Sequence, residues 1–245
     1  MRLSGNTILI TGGSSGIGLA MARKLIALNN QVLITGRDVE KLKVVKKELP
    51  QLDYFACDLT VKSAVDALVF YVEQTYSGLN MLINNAAVQY NYSFTEEMNL
   101  PEKIEYEVAA NFTAPVKLTA MLLPILLNNS NSAVVNVSSG LFIAPKQSAS
   151  VYCATKAGMH SYSKTLRYQL EEKGIKVFEI IPSLIETPMT EGRGTRKITP
   201  EALVEEFLKN FKSGRTEIYI GKTKLLKIIH RLSPRMSDRI MRKGV

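Results

Sequence analysis

The chain has 245 residues, 46% hydrophobic and 22% charged, with a formal net charge of +9, a balance that fits a globular protein with one large core and excludes a disordered or fibrous chain. The longest purely apolar run, AMLLPILL at 120–127, is short and holds Pro124, and only Met1 and Arg2 precede a strand-like segment, so neither a bilayer span nor a signal peptide is expected. Cys57 and Cys153 stand apart, with no Cys-x-x-Cys and no Cys/His cluster, which predicts a reduced, cytoplasmic protein without disulfides or a metal site.

In chain order, the first strand-like segment is TILIT (7–11), which runs through TGGSSGIG (11–18) into a helical stretch near 16–28. Glycines at 12, 16 and 18 fall where strand turns into helix, where bare backbone can approach a pyrophosphate at a helix terminus rich in free N–H groups. The plainer alternative is a tight turn with no ligand. QVLIT (31–35) is the second strand, and it is followed by Gly36 and Arg37. An acid at the end of this strand would bind the ribose 2′-hydroxyl of NAD, whereas an arginine suits the 2′-phosphate of NADP. NADP(H) is therefore expected in preference to NAD(H), unless Arg37 instead pairs with Asp38 or Glu40 in solvent.

A helix over 38–49 and the strand DYFAC (53–57) come next; Asp58 then accepts from an adenine amino group, caps the helix that begins near Thr60, or does both. After a helix over 61–76 and the strand LNMLIN (79–84), a helical stretch over 101–128 contains Asn111 and, four residues on, Pro115. Proline has no N–H, so the Asn111 carbonyl loses its usual partner and a kink is expected, functional or merely tolerated. AVVNVS (133–138) is the fifth strand, and YCATK (152–156) leads a helix reaching 172. Tyr152 and Lys156, at i and i+4, share a helix face. Such a pair is either ordinary surface or a phenol with a cation set beside it to favour tyrosinate. IKVFEII (175–181) and EIYIG (217–221) complete about seven short apolar strands alternating with helices. That pattern is α/β, a doubly wound parallel sheet covered on both faces.

Residues 1–221 form the predicted domain, with 186–212 as a substrate lid that begins polar and glycine-containing and ends in an amphipathic helix. Residues 222–245 are a basic tail with eight Lys or Arg against Asp238, so only +2 of the net charge belongs to the body. Two short helices are expected there, with Ser233 capping the second and Pro234 opening it. Leu225, Ile228, Ile229 and Leu232 form an apolar stripe on the first, continued by Met236 and Ile240. The stripe packs on the body, packs on a partner subunit, or makes a peripheral contact with anionic lipid. Nucleic acid is not an expected partner, since no basic patch is interleaved with aromatics and tryptophan is absent. His160 and His230 lack partners at metal spacing.

Taken together, TGGSSGIG (11–18), NNAA (84–87), NFTAP (111–115), NVSSG (136–140), YCATK (152–156) and IPSLIETP (181–188) resemble the short-chain dehydrogenase/reductase family, in the branch with TG-x-x-x-G-I-G and Y-x-x-x-K signatures. The resemblance spans almost the whole chain and implies a Rossmann-type fold and an oxidoreductase that moves hydride between the nicotinamide of NADP(H) and a small-molecule carbonyl or secondary alcohol. It implies a catalytic set of Asn111, Ser139, Tyr152 and Lys156. Tyr152 would be the general acid or base, its pKa lowered by Lys156 and by an oxidised nicotinamide; Lys156 would also hold the nicotinamide ribose, and the Asn111 carbonyl a water in a proton relay. Ser139 is chosen over Ser138 because the family serine lies thirteen residues before the tyrosine.

By the same resemblance, the cofactor would touch Gly12, Ser14, Ser15, Gly16, Ile17, Gly18, Arg37, Asp58, Leu59, Asn85, Ala86, Ala87, Tyr152, Lys156, Pro182, Ile185 and Thr187, with no metal. Ala87 and Ser183 stand where the family has glycine. A homodimer or homotetramer through the helices near 101–128 and 153–172 is also implied. The alternatives are a catalytically idle NADP(H) sensor and a lipid-surface protein that uses its tail.

Overall fold

A computed structural model describes residues 1–243. Its sheet has seven parallel strands: β1 (Thr7–Thr11), β2 (Gln31–Gly36), β3 (Asp53–Ala56), β4 (Leu79–Asn84), β5 (Ala133–Val137), β6 (Lys176–Pro182) and β7 (Glu217–Ile220). Their spatial order is β3-β2-β1-β4-β5-β6-β7, so the winding reverses between β1 and β4. Every residue of β4 and β5 is buried, which is why these segments read as unbroken apolar runs and not as an alternation.

Alternate strand residues feed two cores. Ile8, Ile10, Val32 and Ile34 pack with Met21 and Leu25 of α1 (Gly16–Ala27), Leu42 of α2 (Val39–Glu48) and Phe207 and Phe211 further along the chain. On the other face, Leu9 and Leu33 meet Leu68 and Val72 of α3 (Lys62–Thr75), together with residues of two longer helices. The first of these is built from α4 (Leu100–Val108), a π-helical turn over Ala109–Thr113 and α5 (Ala114–Asn128). The second is α6 (Ser150–Leu170).

The π turn lies just ahead of Pro115, where the missing N–H denies the Asn111 carbonyl its α-helical donor. The expected kink thus takes the form of an inserted wide turn. Run length had excluded a bilayer span, but the continuous helix Leu100–Asn128, 29 residues, is long and apolar enough to cross a bilayer by length and composition. In the fold its Leu118, Leu122 and Leu126 are fully buried in the second core.

The C-terminal third departs most from the sequence reading. The apolar face of α7 (Pro200–Lys212), Leu203, Val204, Phe207, Leu208 and Phe211, is buried against α1 and the sheet. The segment free to cover a site is therefore the loop 186–199, shorter than the expected 186–212. Beyond β7, α8 (Thr223–Leu232) and α9 (Pro234–Met241) fold back on the chain. Thr223 anchors them by donating to the Ile181 and Ile220 carbonyls, 2.9 Å each. The expected apolar stripe is only partly covered, Ile229 being half-buried. Leu225, Ile228, Leu232, Met236 and Ile240 are exposed, while Leu226 is buried. Gly244 and Val245 of the tail lie outside the described residues.

Candidate functional site

The carboxyl ends of six strands open onto one cleft of about 540 Å³ at the point where the winding reverses, the usual ligand site of an open α/β sheet. The glycine loop after β1 is tied to the segment that follows β4. Thr11 Oγ1 accepts from the Asn85 and Ala86 backbone N–H groups at 2.9 and 3.0 Å, and Asn85 Nδ2 donates to the Thr11 and Gly12 carbonyls at 2.9 and 3.1 Å. Gly12, at φ +66, could not carry a Cβ, because Ala86 Cα would lie 2.9 Å away. The cradle is thus shaped by backbone, with the N-terminus of α1 beside it, and its donors suit a pyrophosphate.

Of the expected cofactor contacts, Gly12, Ser14, Ser15, Gly16, Ile17, Arg37, Asp58, Leu59, Asn85, Ala86, Ala87, Tyr152, Lys156, Pro182 and Thr187 line the cleft. Two do not. Gly18 lies behind the loop, where a Cβ would be 2.3 Å from the Gly12 carbonyl oxygen, so its smallness serves helix–strand packing. Ile185 lines the adjoining cavity instead. Asn85 spends its amide on loop backbone, which makes it a clamp as well as a wall.

At the β2 end, Arg37 is exposed and makes no ion pair among the described residues; Asp38 caps α2 through the Lys41 N–H, and Glu40 pairs with Lys43. Arg37 Nη1 donates to the Tyr106 hydroxyl, and its guanidinium lies 5.5 Å from that ring's centroid. Tyr106 in turn donates to Asp58 at 3.3 Å. Asp58 also accepts from the Thr60 N–H and hydroxyl at 2.9 and 2.7 Å, so it braces the turn while facing the cleft. Burial pushes its carboxyl up, but the bonds from Thr60, the charge of Arg37 and the Tyr106 hydroxyl outweigh it and hold Asp58 below the usual carboxylate range. With Gly36 at the position where an acid would stand, this end of the cleft has room and a cation for a 2′-phosphate.

At the other end stand Tyr152, Lys156 and Ser139. Lys156 is 3% exposed; its Nζ donates to the Val137 carbonyl at 2.8 Å and lies 5.5 Å from the Tyr152 ring centroid. Burial pushes its pKa down to about 8, against the charge of Glu179. The phenol of Tyr152 is not lowered in the protein alone. Burial raises it, the charges of Cys153 and Glu107 add to that, and Ser139 and Arg193 pull it down. Desolvation is the largest of these effects, so at neutral pH the phenol keeps its proton.

Ser138 lines the cofactor cleft and Ser139 the adjoining cavity, and the two have different partners. Ser138 is buried and donates to Glu179 Oε1 at 2.5 Å, whereas Ser139 lines the cavity shared with Tyr152, its Oγ accepting from the Leu141 N–H at 3.2 Å. Asn111 is 1% exposed, and its side chain makes two bonds of 2.8 Å to the Val88 backbone. It therefore fixes the loop after β4 as well as marking the π turn.

The sequence reading missed several residues here. Glu107, fully buried, accepts from the Tyr90 N–H and the Tyr92 hydroxyl and acts on Tyr152 through its charge. Glu179, on β6 beneath Lys156, bonds Ser138 and, at 2.8 Å, His160, whose ring stacks on Phe142 at 4.0 Å. A charged residue inside the apolar run IKVFEII was the available signal. Asn84 and Asn136, opposite one another across β4 and β5, are joined at 2.9 Å, and Asn136 continues to Ser163 of α6. A second cavity of about 660 Å³ adjoins the cleft, with walls from the 186–199 loop and from α8 and α9.

A sequence profile described as short chain dehydrogenase matches residues 6–197. An uncharacterized oxidoreductase, DltE, of Bacillus subtilis (strain 168) is 39% identical over 227 residues, 89% of either chain. A fatty acyl-CoA reductase of Acinetobacter baylyi is 31% identical over 209 residues, which cover 84% of this chain and 71% of that one. Among solved structures, a short-chain dehydrogenase from Sphingobium yanoikuyae in complex with NADPH superimposes with a TM-score of 0.82 at 25% identity, covering 95% of this chain and 96% of that one.

Proposed function

The chain belongs to the short-chain dehydrogenase family of oxidoreductases, and on that premise we propose that it reduces a carbonyl group, or oxidises the corresponding secondary alcohol, with NADP(H) and with Tyr152 as general acid or base. One observation carries the reading: Tyr152 belongs to the walls of both the cofactor cleft and the second cavity, so a substrate in one meets a cofactor in the other at its hydroxyl. When bound, the reduced nicotinamide supplies the hydride, a chemistry the side chains lack.

The protein's own part is proton and position. Tyr152, held protonated by burial, gives its proton to the carbonyl oxygen as the carbon receives hydride. Ser139 donates to the same oxygen and stabilises charge as it develops. Lys156, released from the Val137 carbonyl, is placed to hold ribose hydroxyls and to steady tyrosinate after the transfer. The Asn111 carbonyl, without an α-helical donor, is free for the water that would link Lys156 to solvent. Arg37 would pair with the 2′-phosphate, and Ser14 and Ser15 beside the glycine turn would meet the pyrophosphate.

The same reading extends to assembly and location. The outer faces of α5 and α6, which leave Leu127 and Tyr168 exposed, would form a homodimer or homotetramer of a cytoplasmic protein. The exposed stripe on α8 and α9, flanked by Lys227, Arg231, Arg235 and Arg239, would touch anionic lipid at the membrane surface. The shorter loop 186–199 keeps the role of substrate lid.

The test is NADPH oxidation against ketones, aldehydes and quinones, with Tyr152→Phe beside the wild type. Turnover should fall by ~10²–10⁴ while NADPH still binds. Full activity in the variant would overturn the assignment.

A further inference from the structure

The second cavity has a composition that hydride transfer does not require. Five cations line it, Lys146, Arg193, Arg196, Lys222 and Lys243, and no aspartate or glutamate does. The first three come from outside the basic tail, so the bias is not simply the tail's own charge. The adjoining cofactor cleft, by contrast, mixes Arg37, Lys41 and Lys156 with Asp38 and Asp58.

Arg193 is the most informative of the five. It sits in the 186–199 loop, held by its backbone N–H to the Thr190 carbonyl at 3.0 Å and by Nη2 to the Gln89 carbonyl at 3.3 Å. Its other terminal nitrogen, Nη1, is buried and has no hydrogen-bond partner among the described residues. A buried guanidinium N–H left unpaired is expensive, and the simplest group to satisfy it is an anionic oxygen entering the cavity. The charge of Arg193 is also felt at the Tyr152 hydroxyl, so that oxygen would lie on the same side of the cavity as the reacting carbonyl.

The wall that α8 and α9 supply is apolar. Leu225, Leu226, Ile229, Ile240 and Met241 of α8 and α9 face the space, whose volume of about 660 Å³ lies in the range of small-molecule sites. Leu225 and Ile240 are also exposed at the surface, so the apolar wall continues to the outside of the molecule.

We propose that this cavity takes an aliphatic carbonyl compound bearing an anionic group, with the anion held by Arg193 and the chain laid along α8 and α9. The proposal rests on the carbonyl-reductase reading above. The substrate's C=O becomes CH–OH, its carbon gaining hydride and its oxygen the Tyr152 proton, while NADPH is oxidised to NADP⁺.

The experiment compares medium-chain oxo acids, with the carbonyl at varied distance from the carboxylate, against their methyl esters, in wild type and Arg193→Gln. Calorimetric binding of dodecanoate, dodecyl phosphate and dodecanol to both proteins accompanies it. The expected result is an acid-to-ester ratio of kcat/KM of about 10–100 in wild type, the range of one charge-assisted hydrogen bond, falling toward one in the variant. Binding of the two anions should fall by a similar factor, and whether carboxylate or phosphate binds more tightly identifies the head group. Equal use of acid and ester by wild type, or a ratio that survives Arg193→Gln, would overturn the proposal. If no carbonyl compound is reduced, the reductase reading fails, and the calorimetry decides separately whether Arg193 binds anions.

Discussion

Lys156→Met should abolish catalysis yet make the protein more stable. The lysine is 3% exposed, and burial lowers its pKa from 10.5 to about 8. At pH 7 it is charged in both folded and unfolded chains, and the folded state carries the desolvation penalty. A gap of roughly 2.5 units at 1.36 kcal/mol each comes to about 3 kcal/mol. Removing Nζ also leaves the Val137 carbonyl without its bond, which costs about 1 kcal/mol. The net gain is about 2 kcal/mol at pH 7, equivalent to a urea midpoint higher by roughly 1 M for an m-value near 2 kcal/mol/M.

The pH dependence supplies the sign. Above pH 8 the folded lysine loses its proton while the unfolded one keeps it, so the unfolded state binds more protons and wild-type stability rises with pH until about 10.5. Urea unfolding of both proteins across pH 7 to 10.5 should show the variant's advantage shrinking through that window, reaching zero before its top and ending about 1 kcal/mol below wild type, the worth of the Val137 bond. Taking the difference between the two cancels the titrations of groups far from Lys156. A variant less stable than wild type at pH 7, or an advantage independent of pH, would refute the argument.

Three further outcomes are expected. Arg37→Gln should weaken NADPH binding by about 10–100-fold, the worth of a charge-assisted pair, and leave NADH binding nearly unchanged; equal losses in a fluorescence titration would remove Arg37 from the 2′-phosphate site. Gly18→Ala should destabilise by about 1–3 kcal/mol through overpacking, because its Cβ meets backbone 2.3 Å away, whereas Gly78→Ala, whose nearest neighbour is 3.7 Å off, should move the urea midpoint little. Glu107→Gln removes a charge that raises the Tyr152 phenol, so in alcohol oxidation, where tyrosinate is the base, the rise of kcat with pH should move to lower pH; an unmoved profile would dismiss that coupling.

Residues whose meaning is local were legible in the chain. The choice of Ser139 over Ser138 came from the family resemblance; in the fold Ser138 is bonded to Glu179, and Ser139 lines the second cavity. Pro115 announced an interruption because a missing N–H acts within one turn, though not that it would take the form of a π turn. The amphipathic face of α7 was also visible, but not which surface it would cover. It was read as part of a lid and is a wall of the core. Gly18 belonged to a phosphate-loop signature, yet its space is filled by the chain itself.

By itself the sequence determined the alternation of strand and helix, the parallel sheet, the glycine turn, and the i, i+4 pairing of Tyr152 with Lys156, since each is set by periodicity or by contacts within a few residues. Tertiary structure decided the environment of those groups. Arg193 meets Gln89 across 104 positions of chain, and Ser138 meets Glu179 across 41. Such pairs depend on which loops close over one strand end, and no local pattern encodes that. Burial, too, belongs to the assembled molecule: it raises the Tyr152 phenol by removing the hydroxyl from water, an effect that no spacing along the chain displays.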